Sequence, residues 1–129
     1  MKDLFKLYQK LKSLTKAEAD LIREGDFDNL KEKLAEKNEL IAEIDEIKQE
    51  KYFAQLAFSL SKEELQQKRD DLYQLLQKIS KLQSQNMQAL EKKKTENKEK
   101  MLSLYSREKS IKGYLNSDKY EAKFFDEKS

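Results

Sequence analysis

The sequence predicts an all-α protein: an antiparallel three-helix bundle or coiled-coil hairpin, with a long third helix that continues into a C-terminal extension. Three observations carry this. The 129 residues contain no Pro and only two Gly, Gly25 and Gly113, so the strongest helix breakers are almost absent. Charged residues make up 40 % of the chain and hydrophobic ones 37 %, too little apolar material for a thick globular core but enough for seams between helices. The apolar residues recur at alternating spacings of three and four, the period of one helix face.

The first helix runs from about Lys2 to Arg23. Leu4, Leu7, Leu11, Leu14 and Leu21 form its stripe, Phe5, Tyr8 and Ile22 widen it, and Glu18 is the one polar member. Gly25 can adopt the left-handed conformation that ends a helix, and Asp26 can cap the next. A second helix is expected from about Phe27 to Ser59, on Phe27, Leu30, Leu34, Ile41 and Ile44 with Leu40 and Ile47 beside them. Lys37 and Lys48 fall on the same line, where their stems can cover apolar surface while the ammonium reaches water. Ser61 and Glu64 make a capping box that opens the third helix, whose seam is Leu65, Leu72, Leu76, Ile79, Leu82, Asn86 and Leu90. Asn86 reads most simply as a residue that sets register.

The pattern then stops. Residues 91–100 hold no apolar side chain, and periodicity returns only at Met101, Leu104, Tyr105, Ile111 and Leu115. At 1.5 Å per residue the three helices measure about 33, 50 and 75 Å. The short links make sequential helices antiparallel neighbours, so the third draws level with the start of the second near residue 95. This divides the chain into a bundle over residues 1–95 and an extension over 96–129. The stripe from Met101 to Leu115 has two readings. It overhangs without an intramolecular partner and so invites an external one, or the helix breaks near Thr95 and the stripe folds back into the core. Tyr114, Tyr120, Phe124 and Phe125 crowd the end of the chain, where a disordered tail would be poor in aromatics. Phe53, Leu56, Phe58 and Leu60 at the hairpin tip either close the turn or stay exposed.

Several functions are poorly served. With no His and no Cys, the usual acid–base and thiol side chains are missing, no Gly-rich phosphate loop is present, and the carboxylates interleave with Lys as on a solvated face. No enzymatic activity, metal site or cofactor is expected. Lys92, Lys93, Lys94, Lys98 and Lys100 are diluted by Glu91, Glu96 and Glu99, which argues against nucleic acid. No stretch of about 18 apolar residues predicts a membrane span, and the start lacks the apolar segment of a signal peptide. A chain without Cys fits a reducing compartment.

Three stretches resemble the FlgN-type flagellar export chaperones: Gly25-Asp26-Phe27-Asp28-Asn29-Leu30 followed by Glu36-Lys37-Asn38-Glu39-Leu40-Ile41, then Gln85-Asn86-Met87-Gln88-Ala89-Leu90, and finally Gly113-Tyr114 with Phe124-Phe125-Asp126-Glu127-Lys128. FliT-type chaperones share much of this architecture. The resemblance implies a cytoplasmic chaperone without a cofactor. Such a chaperone holds hook–filament junction (hook-associated) proteins, prevents their premature assembly and delivers them to components of the flagellar type III export apparatus. It makes the C-terminal extension client-binding, with Met101, Leu104, Tyr105, Ile111, Tyr114, Leu115, Tyr120, Phe124 and Phe125 as expected contacts to the client's terminal helices. It also fits a monomer or a weak homodimer. The competing expectation is a structural coiled-coil protein that self-associates through the same stripe.

Overall fold

The computed structural model describes residues 3–93 and 98–115. Among these there are five helices and no strand: α1 (Leu4–Glu24), α2 (Phe27–Glu46), α3 (Gln49–Leu56), α4 (Lys62–Lys93) and α5 (Lys98–Leu115). The all-α bundle that the spacing predicts is present.

The local signals act as written. Asp3 Oδ1 accepts the Phe5 N–H at 3.0 Å and starts α1. Gly25 sits at φ 74°, and two bonds close the helix end: the Gly25 N–H to the Ile22 carbonyl at 3.1 Å and the Asp26 N–H to the Leu21 carbonyl at 2.9 Å. This is the Schellman arrangement, which needs a left-handed residue at that point. Asp26 then caps α2 by accepting the Asn29 N–H. Ser61 and Glu64 exchange side-chain-to-backbone bonds of 3.1 Å each, the capping box that opens α4.

The arrangement departs from the expected three-helix hairpin in two ways. The second helix breaks: Ile47 and Lys48 are extended, and α3 leaves at a new angle. Its Tyr52 and Phe53 are buried, and the Tyr52 hydroxyl donates to Asp3 Oδ1 at 3.1 Å, so the start of α1 does reach the end of the hairpin. The break lets an apolar segment that would otherwise project past α1 lie across the bundle's end. Consequently α2 and α4 are not neighbours. α1 packs on α2 and on α4, and α5 packs on α4 and more lightly on α2, which places α2 diagonally opposite α4.

Of the two readings of the extension, the fold-back is the one seen. α5 does not overhang. It folds back along α4, and Leu104, Ile111 and Leu115 enter the same core as the other helices. The reason is the pattern itself. The stretch 91–100 offers nothing to bury, whereas α5 carries an inward heptad line of Leu104, Glu108, Ile111 and Leu115 that finds a surface only by running back. Lys93 marks the top of the bundle, where its Nζ donates to the Arg23 carbonyl at 2.9 Å and satisfies an end of α1.

Candidate functional site

Each main helix presents one line of side chains inward. On α1 the line is Leu4, Tyr8, Leu11, Thr15, Glu18 and Ile22, and on α2 it is Leu30, Leu34, Lys37, Leu40 and Ile44. On α4 it is Leu72, Leu76, Ile79, Gln83, Asn86 and Leu90, and on α5 it is Leu104, Glu108, Ile111 and Leu115. The six polar members of these lines lie at one level, so a polar layer interrupts an otherwise apolar core.

Lys37 stands at its centre. Its stem does not lead the ammonium to water. Nζ donates to Gln83 Oε1 at 2.5 Å across the diagonal, lies 2.7 Å from Glu18 Oε1, and lies 3.6 Å from Glu108 Oε1. Gln83 Nε2 in turn donates to Glu108 Oε2 at 2.7 Å and to the Glu108 carbonyl at 3.1 Å. Asn86 Nδ2 donates to the Thr15 carbonyl at 2.9 Å, and the Thr15 hydroxyl donates to the Leu11 carbonyl at 2.8 Å. Two carboxylates and one ammonium thus share a space from which water is excluded. Burial pushes the Glu18 carboxyl up to about 9, and the adjoining Glu108 carboxyl pushes in the same direction, against the pull of Lys37. Glu18 therefore favours its protonated form at neutral pH, which relieves the repulsion between the two carboxyls.

The residues expected to contact a client divide. Leu104, Ile111 and Leu115 face inward and are buried. Tyr105 and Tyr114 are half-buried at the rim, and the Tyr114 hydroxyl donates to Asp45 Oδ1 at 3.2 Å, tying the end of α5 to α2. Met101 falls in the first turn of α5, with its side chain outside what is described, and Tyr120, Phe124 and Phe125 lie outside the described residues. The sequence reading missed Leu102, which is 43 % exposed on the outside of α5 and one turn from Tyr105. It also missed Glu108, whose spacing from Leu104 and Ile111 is the available signal. At the tip, Phe53 is buried, Leu56 is half-buried against the core, and Phe58 is 92 % exposed.

Among the described residues there is no group of acidic side chains placed to hold a metal ion, and no helix is long and apolar enough to cross a membrane. A groove of about 550 Å³ between α1 and α4, lined by Phe5, Lys6, Lys12, Lys68, Leu75 and Lys78 among others, is open to solvent and mixes Lys with Asp3 and Asp71.

No curated protein and no solved structure matches the chain. The family model described as FlgN protein matches residues 1–121, which takes in all five helices and their junctions. The chain belongs to the FlgN family, a family of flagellar export chaperones.

Proposed function

We propose that this chain holds the terminal amphipathic helices of hook-associated proteins in the cytoplasm, keeps them from assembling early, and passes them to components of the export apparatus. Family membership supports the chaperone activity, and the client class and the site are our reading. The observation that carries the site is the two-sided character of α5. Its inner line is spent on the core, while Leu102 stays exposed on its outer side and Tyr105, one turn on, is half-buried at the rim. Beyond α5 the sequence adds Tyr120, Phe124 and Phe125. A client helix laid along α5 would meet Leu102, Tyr105 and Tyr114, and Tyr120, Phe124 and Phe125 are further proposed contacts. Leu104, Ile111 and Leu115 would then fix where that outer face stands, and Met101 stays a proposed client contact. The mechanism is occupancy: the client's sticky face is covered until the export machinery takes it.

Burial of Leu104, Ile111 and Leu115 in their own bundle counts against self-association through that stripe. It also makes removal of all of 101–129 a poor test, because the cut would uncover the core. The better test compares Leu102→Asp with Tyr105→Ala, and separately a chain ending at Leu115, against a hook-associated protein by light scattering after size exclusion. Loss of the discrete complex with helix content retained is expected. Undiminished complex formation by all three altered chains sinks this reading.

A further inference from the structure

We infer that the polar layer is a proton-coupled latch on α5: one proton held between Glu18 and Glu108 lets α5 seat on the bundle, and loss of that proton opens α5 ahead of the other helices. The inference does not depend on what α5 binds.

The argument starts from a charge count. The ionisable groups facing the layer are Glu18 from α1, Lys37 from α2 and Glu108 from α5, while α4 contributes the neutral Gln83 and Asn86 and α1 adds the neutral Thr15. Lys112 and Ser84, which bond to each other, and the Lys33–Glu36 pair lie outside the buried set. Two carboxylates against one ammonium leave one negative charge in a space closed to water, a costly state that a single proton removes. The geometry asks for that proton. Both carboxyls flank the one ammonium, Glu18 Oε1 at 2.7 Å and Glu108 Oε1 at 3.6 Å from Lys37 Nζ, yet Glu18 Oε2 and Glu108 Oε1 receive no hydrogen bond from any donor among the described residues.

Apolar burial decides which helix answers. Glu18 stands on α1 and Glu108 on α5, so departure of either helix separates the two carboxylates, and the helix with less buried apolar surface leaves first. α5 brings three buried apolar side chains where α1 brings five and α2 and α4 four each. Opening α5 relieves the repulsion while leaving α1, α2 and α4 in place.

The direction follows from linkage. In the docked state Glu18 titrates near 9, and in the open state it returns to an ordinary carboxylate value. Stability owed to the held proton is full below the ordinary carboxylate range, drains as pH rises, and is gone above about 9. Across that window the open population of α5 rises by about tenfold per pH unit.

The experiment is amide hydrogen exchange on the full chain at pH 6, 7 and 8, corrected for the intrinsic pH dependence of exchange. The expected result is that protection of α5 amides falls by about tenfold per pH unit while the most protected amides of α1 and α4 do not follow. With Glu18→Gln the α5 slope flattens. Protection of α5 that is constant over this range, or an identical slope in Glu18→Gln, overturns the latch. Should that variant fail to fold, side-chain carboxyl carbon shifts of the unaltered chain decide: two fully ionised carboxylates at pH 7 overturn it, and one retained proton upholds it.

Discussion

Lys37 Nζ and Gln83 Oε1 meet at 2.5 Å in the middle of the bundle, joining two helices that are otherwise diagonal to each other. The same ammonium faces Glu18 and Glu108. Lys37→Met keeps much of the stem and removes the only cation of the layer, leaving two carboxyl groups without one. Breaking a buried set in this way costs about 3–5 kcal/mol. Replacing Lys37, Glu18 and Glu108 together with Met, Leu and Leu should recover that loss and can exceed the original stability by about 1–4 kcal/mol. Urea denaturation at pH 7 checks both. A single variant as stable as the parent would show that the cation does not hold the layer.

Asn86 makes a separate bond, to the Thr15 carbonyl at 2.9 Å, between the parallel helices α1 and α4. Asn86→Ala removes a donor from an acceptor that still has its own helix partner, so the cost is about 1–2 kcal/mol. Asn86→Asp points a carboxylate oxygen at that carbonyl and should be worse than Ala. The order of urea midpoints, Asn above Ala above Asp, is the readout. Asp equal to Asn would mean that the bond contributes nothing.

Most of this fold could be read from the chain, and the unread part has a physical cause. The Gly25 turn and the Ser61–Glu64 box are short-range signals whose partners lie within a few residues, and both formed as read. Asn86 and Glu18 were visible as polar positions in apolar lines. Their partners were not, because a bond such as Lys37 to Gln83 depends on which helices end up diagonal. Lys37 looked like a stem with its head in water because sequence shows one face at a time, and the opposing Glu18 and Glu108 come from other helices. The break at Ile47–Lys48 left no signature, since neither residue disfavours a helix strongly, and tertiary burial of Tyr52 and Phe53 decides it. The α5 stripe could be read as overhanging because helix lengths counted straight through 91–100 outrun the bundle, and the alternative, a fold-back, depends on a core surface that the other helices build. Of the candidate site, the outer Leu102 escaped notice because a helix stripe reports what faces inward.

Gly25 offers a clean test of backbone conformation. It lies at φ 74°, and a Cβ placed there meets nothing within 4 Å. Any cost of Gly25→Ala is therefore conformational, about 1–2 kcal/mol for an L residue held in the left-handed region. Gly25→Asn should cost less, since Asn tolerates that region better. Equal stability of all three chains in urea would mean that the turn relaxes to another shape.

Tyr52 supplies the pH prediction at the other end of the molecule. Its hydroxyl donates to Asp3 Oδ1 at 3.1 Å, and burial first, then the nearby Asp3 charge, pushes its ionisation up to about 12. The folded value lies above the ordinary 10.0, so the native state holds the proton more tightly than the unfolded chain. The stability this contributes is fully present below pH 10 and drains as pH rises towards 12. Following phenolate absorbance, Tyr52→Phe should remove one late-ionising step from the titration of the parent chain. Asp3→Asn separates the two causes. Asn caps a helix about as well as Asp, so α1 should keep its start while the charge is lost. The late step should then move down but stay above 10, because burial remains. A late step that does not move in Asp3→Asn would assign the whole effect to burial and remove Asp3 from the account.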